Sequence, residues 1–248
     1  MEALIWSVVA TIIVSLISLV GIITLLVKKN TLNKILLLLV GFSAGALLGG
    51  AFLHLIPEAV EETGMDAVGL YVIAGLCTFF IVEKFLYWHH CHKGGACDVH
   101  TFTYMNLIGD GVHNFIDGLI ISASFVVDFN LGIATTIAVI AHEIPQEIGD
   151  FGVLIYGGFG RMKALLFNFL SAITAVLGAV VGYFLSSHIA SFTAFLLPFA
   201  AGGFIYIASS DLIPELHREK KLSKSIMSFA VFLIGIAFMY GTKLVFGG

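Results

Sequence analysis

From Ala3 to Val27 the chain runs without a single charged side chain, longer than the ~20 residues that carry a helix across a bilayer. Seven more apolar stretches of that order follow. The chain is 59% hydrophobic and only 11% charged, where a soluble domain carries about 25% charged residues. No soluble core can bury so much apolar surface, so the expectation is one all-α polytopic membrane domain over residues 1–248. Met1-Glu2 lacks a basic leader and the first run is too long for a signal h-region, so it reads as a span. Three cysteines make no disulfide framework, and Cys77 falls within a span. No basic cluster exceeds a juxtamembrane one, so no nucleic-acid partner is expected.

Measured against the bilayer, the sequence predicts eight spans at roughly 3–27, 35–57, 67–88, 102–126, 131–156, 164–186, 192–215 and 225–247. Ten of the twelve basic residues fall in alternate loops: Lys28, Lys29, Lys34, Lys93, Arg161, Lys163, Arg218, Lys220, Lys221 and Lys224. The positive-inside rule makes those loops cytoplasmic and both termini extracytoplasmic. Glu58, Glu61, Glu62 and Asp66 cluster on the other side after span two, either as a solvated loop or as a mild funnel for cations. One internal echo bears on architecture. Gly45 to Glu58 and Gly202 to Glu215 both end in Leu-Ile-Pro-Glu, preceded by His54 or Asp211 and by small residues. Spans two and seven run oppositely in this topology, as in an inverted repeat.

Two strings place polar chemistry inside apolar runs: His113-Asn114-x-x-Asp117-Gly118 and His142-Glu143-Ile144-Pro145-Gln146-Glu147. A charge at mid-membrane costs a few kcal/mol even on insertion scales, which marks such groups as functional. Helix positions four apart lie about 40° apart on one face. His113 and Asp117 therefore point together, with Asp110 a turn below, and His142 shares a face with Gln146. If spans four and five pack side by side, His113, Asp117, His142 and Gln146 converge as N and O donors, a set suited to zinc and other first-row divalent ions. Glu143 and Glu147 form a second stripe about 100° round, with Asp150 beyond. Gly111 and Gly118 permit close helix approach. Pro145 lacks an N–H, so it should kink its span and free the Ala141 carbonyl, an added oxygen for an ion.

These signatures together make the chain resemble the ZIP (Zrt/Irt-like protein) metal-ion transporters. The resemblance extends over the whole chain, including a His-bearing loop after span three. It implies uptake of zinc or a similar divalent cation into the cytoplasm, with the ion as transported substrate and no organic cofactor. It further implies spans one to three related to six to eight by inverted symmetry, a metal centre between spans four and five, a homodimer, and an elevator-like movement. On this resemblance His113, Asn114 and Asp117 match the span-four ligands, and His142 and Glu143 match the first two of span five. Gln146 departs, because many relatives carry His or Glu there; that leaves a second metal position in doubt, which Glu143 and Glu147 could supply. His54 and Glu58 look like the outer mouth of the path, or else cap a helix end. Asp211, Glu215 and His217 stand in the same relation to the inner mouth, reached past Asp110 and Asp150. The cytoplasmic loop 89–100 holds His89, His90, Cys91, His92, Cys97 and His100, a metal-receiving tether or a plain connection. The small chain without an outer domain suggests a bacterial or archaeal plasma (inner) membrane.

Three other functions compete. His142-Glu143-x-x-Gln146 falls one residue short of the HExxH zinc site of metalloproteases, but its second His is Gln and Pro145 interrupts the helix, so no enzyme is expected. An exporter would use the same motifs in the opposite direction. A sensor would bind metal without passing it.

Overall fold

The computed structural model describes residues 2–25, 29–88 and 99–246; every regular element among them is a helix, with no strand. Helix α1 spans Glu2–Ile17 and continues as a 3-10 helix over Ser18–Leu25. Next come α2 (Lys29–Gly50), α3 (Ile56–Thr63), α4 (Met65–Trp88), α5 (Val99–Val127) and α6 (Phe129–Tyr156). After them come α7 (Arg161–Ala172), α8 (Thr174–His188), α9 (Ala190–Tyr206), α10 (Ile213–His217) and α11 (Leu222–Phe246). Among the described residues, six stretches are long and apolar enough to cross a membrane: Glu2–Ile22, Leu37–Glu61, Met65–Val82, Arg161–His188, Ser191–His217 and Leu222–Val245. The two long helices outside this set, α5 and α6, carry the polar strings. His89, His90, Cys91, His92 and Cys97 lie outside the described residues, and the side chains of His100 and Asp211 do too.

Breaks in the helices have local causes. A single residue, Asp128, separates α5 from α6; its carboxylate caps α6 by accepting from the N–H groups of Asn130 (2.8 Å) and Leu131 (3.0 Å), as N-cap residues do. Between α7 and α8 the ladder lapses at Ile173. There the Ser15 hydroxyl donates to the Ala172 carbonyl at 2.8 Å, and Thr174 Oγ1 lies 2.7 Å from the Ser171 carbonyl. Hydroxyls that take up helix carbonyls bend a helix in this way.

A π-turn over Ala51–Leu55 precedes Pro57, and a second over Ile207–Leu212 precedes Pro214. Proline has no N–H and its ring collides with the carbonyl four residues back; one wider turn accommodates it. Both π-turns fall on the Leu-Ile-Pro-Glu echo. The helix carries on past the first of them to Thr63, so Glu58, Glu61 and Glu62 lie on α3 rather than in the loop that the sequence suggested. Gly64 alone, at φ +80°, turns the chain into α4, and Asp66 lies in that helix's first turn.

Helices α5 and α8 lie side by side, α6 packs on α5 and α2, α11 runs along α2, and α4 along α9. Large apolar side chains such as Leu70, Ile81 and Leu244 are exposed on the outer faces, whereas buried positions include Asn114, Asp117, His142, Glu143 and Glu147. That is the reverse of a soluble protein and matches a lipid surround. Gly118, which ends the first polar string, and Gly111, just before it, face α7 and α8. A Cβ on Gly118 would collide with the Ala175 carbonyl, and one on Gly111 would touch Ser171 and Thr174. Both glycines therefore bring α5 close to α7 and α8, not to α6.

Candidate metal centre

Helices α5 and α6 bring four donor atoms together. His113, Asp117, His142 and Glu143 each offer one ligand atom, all within 4.8 Å of one another. His142 Nε2 lies 3.1 Å from Asp117 Oδ2 and 3.4 Å from Glu143 Oε1. His113 Nε2 lies 3.3 Å from Glu143 Oε1, 3.7 Å from Asp117 Oδ2 and 3.1 Å from His142 Nε2. Zinc binds N and O ligands at about 2.0–2.2 Å, so the edges of its tetrahedron measure roughly 3.3–3.6 Å. These five donor–donor distances straddle that range.

The surroundings favour a cation at the centre of these atoms. Asp117 Oδ2 and both Glu143 oxygens are buried without a hydrogen-bond partner. Buried carboxylate oxygens left so are costly, and a divalent ion offsets both charges at once. His142 Nδ1 lies 3.2 Å from the Ala138 carbonyl. A carbonyl only accepts, so Nδ1 carries the proton and Nε2 turns its lone pair inward, the arrangement that orients metal-binding imidazoles. Phe204 of α9 closes one side against the His142 ring, with centroids 5.8 Å apart.

The fourth atom comes from Glu143, where helical spacing pointed to Gln146. A glutamate carboxylate is long enough to reach back across the roughly 100° between neighbouring positions. The Gln146 amide nitrogen instead lies 3.5 Å from Asp110 Oδ1, at the limit of a hydrogen bond. Asn114 donates to the same Asp110 oxygen at 2.9 Å, and its own Oδ1 is buried without a partner.

Beside this group lies a second polar layer. Ser171 donates to Asp110 Oδ2 and Asn168 to Glu147 Oε2, both at 2.5 Å, while Asn106 donates to Asp150 at 2.9 Å. Glu147 Oε1 and Asp150 Oδ2 have no hydrogen-bond partner. Sequence reading missed Asn106, Asn168 and Ser171. For the two asparagines the signal was present, since an amide within an apolar run has the same meaning as the carboxylates already singled out; Ser171 gave none.

The outlying residues are placed separately. His54 Nε2 lies 3.0 Å from the Met239 carbonyl and 3.2 Å from Thr242 Oγ1, joining the π-turn to α11. Glu58 is half-buried on α3. Glu215 forms an exposed ion pair with Arg218 at 2.7 Å, a kind worth little in water, and His217 is exposed. The carbonyl of Ala141, freed by Pro145, accepts a hydrogen bond from Ser43 Oγ of α2.

Fold and site together define a multi-pass helical membrane protein with a buried cage of two imidazoles and two carboxylates, suited to a divalent cation. Residues 1–96 and 87–243 match the family model described as ZIP Zinc transporter, and the chain belongs to that family. It is 31% identical to "Zinc transporter zipt-7.1" of Caenorhabditis briggsae, covering 84% of this chain and 71% of that protein. It is also 31% identical to "Zinc transporter ZIP13 homolog" of Drosophila melanogaster, over 86% and 79% of the two chains. "Zinc transporter ZIP13" of Pongo abelii is 35% identical, over 81% of this chain and 65% of its own. Membership in a transporter family sets aside the hydrolase reading of His142-Glu143-x-x-Gln146.

Proposed function

We propose that this protein carries divalent metal, zinc foremost, into the cytoplasm through the site between α5 and α6. The observation that carries this reading is the four-donor cage with its unpartnered carboxylate oxygens, buried among helices. Relatives named as zinc transporters support zinc as the ion. Ten basic residues in alternate loops support eight spans with both termini outside. The paired π-turns at the Leu-Ile-Pro-Glu echo support the inverted repeat. Metal arrives past Glu58 and His54 and sheds water onto His113, Asp117, His142 and Glu143, with Asn114 and Gln146 close by. It leaves past Glu147, Asp110 and Asp150, then Asp211, Glu215 and His217. The protein works as a homodimer with a two-bundle movement, in a plasma membrane.

Zinc influx into proteoliposomes tests the reading. Saturable influx from the face bearing the termini, above that of empty liposomes, is expected; binding without influx would leave a sensor. The ligands bind metal with imidazole neutral and carboxylates charged, so protons compete with the ion. Acidifying from pH 7.5 to 5.5, through the ordinary histidine range, should therefore raise the KM for zinc about tenfold or more. A KM constant over that interval would contradict the ligand set. Gln146→Ala removes only a neutral amide beside the cage and is expected to raise the zinc KM about two- to fivefold, less than the loss of a ligand's hydrogen-bond support commonly costs. A loss as deep as that of His142→Ala would promote Gln146 to a principal ligand.

A further inference from the structure

We propose that Ser43 is a positioning residue for the metal site, holding the proline-opened turn of α6 that presents His142 and Glu143. The proposal rests on the site reading above and deepens it.

Pro145 cannot supply the N–H that the Ala141 carbonyl would accept in an unbroken helix. Ala141 is 7% exposed, so water does not readily replace that donor, and a buried carbonyl left alone is costly. The replacement comes from another helix, since the Ser43 hydroxyl of α2 donates to the Ala141 carbonyl. Ser43 is itself fully buried. Its oxygen also lies 2.8 Å from the Leu39 carbonyl within α2. That carbonyl already receives the backbone N–H of Ser43 in the helical ladder, whereas the carbonyl of Ala141 has lost its own donor. The single hydroxyl hydrogen therefore serves Ala141.

The consequence falls on the next two residues. His142 and Glu143 follow Ala141 directly and supply two of the four donor atoms. Their backbone lies in the turn whose ladder Pro145 has opened, so its orientation is set from outside by the bond to α2. Helix α5 has Ile116 where the corresponding string of α6 has Pro145, three residues after each histidine, and needs no such support. Ser43 thus ties the less rigid half of the cage to a neighbouring helix, as outer-shell partners fix ligands elsewhere.

The test uses the purified full-length protein with Co2+ as probe, because its visible bands report the geometry of a four-donor shell. Ser43→Ala favours helix by propensity and adds no atoms. It is expected to weaken Co2+ binding roughly tenfold, alter the bands, and raise the zinc KM about fivefold with Vmax held within about twofold. Ser43→Thr keeps the hydroxyl and is expected to restore the bands and affinity; it is read independently of whether the alanine variant folds. Wild-type bands and affinity in Ser43→Ala, or a threonine variant that binds as weakly as the alanine one or with bands unlike the wild type's, would overturn the proposal. Absence of Co2+ binding in the wild type, or binding unchanged in His142→Ala, would instead overturn the site reading itself.

Discussion

Replacing His142 or Asp117 with alanine is expected to weaken zinc binding by roughly 100-fold or more, beyond the 10- to 100-fold that losing a mere outer-shell partner costs. Saturable influx should disappear with it. The reason lies in the closeness of the four atoms. His142 Nε2 touches both carboxylates, at 3.1 Å and 3.4 Å, so its removal leaves Asp117 and Glu143 facing each other with only His113 between. Removing Asp117 leaves two imidazoles with Glu143 alone to balance a doubly charged ion. Titration calorimetry on detergent-solubilised protein measures the affinity, and influx at matched incorporation measures the transport. Affinity within about threefold of wild type in either variant would mean the ion sits elsewhere, since even an outer-shell loss commonly costs more.

The second large effect concerns the wall behind the site. Gly118 and Gly178 face one another where α5 crosses α8: a Cβ on Gly118 would collide with the Ala175 carbonyl, and one on Gly178 with that of Phe115. Small residues let helices approach this closely in a membrane, where packing rather than hydrophobicity holds them. Gly118→Leu must force the helices apart and carry the neighbouring Asp117 with it. We expect the apparent Tm to fall by roughly 10 °C or more, or no monodisperse protein to be recovered, a large change by the standards of single substitutions. Gly69→Ala is the control, because nothing lies within 4 Å of a Cβ there and alanine favours the helix. Thermal unfolding of both variants decides; equal Tm values would contradict the close crossing.

These residues also mark how far the sequence could be read. The apolar runs located the helices, because in a bilayer span length follows directly from composition. His113, Asp117 and His142 were legible for the same reason, as ionisable groups where none is tolerated without use. Spacing alone set Glu143 on another stripe, because it orders Cα positions while a long carboxylate can reach round to the next one; only the resemblance to the ZIP transporters named it as a ligand. The acidic cluster at Glu58 was misjudged as loop, since a π-turn before Pro57 lets the helix continue past a residue that usually ends one. Pro145 foretold a freed carbonyl, but nothing in the pattern of α2 distinguished Ser43, whose role depends on which helices meet. Tertiary neighbours of that kind, like Ala175 behind Gly118, are written in the packing and not in any local period.

The central claim is that two imidazoles and two carboxylates between α5 and α6 hold the transported ion. X-ray absorption at the zinc edge, on full-length protein loaded with one equivalent of zinc, tests it most directly. The account predicts about four N and O neighbours near 2.0 Å, with the outer scattering of two imidazole rings that is lost in part when His142 is replaced. Sulfur near 2.3 Å, or a six-oxygen shell without imidazole, would contradict it and put the ion at another site.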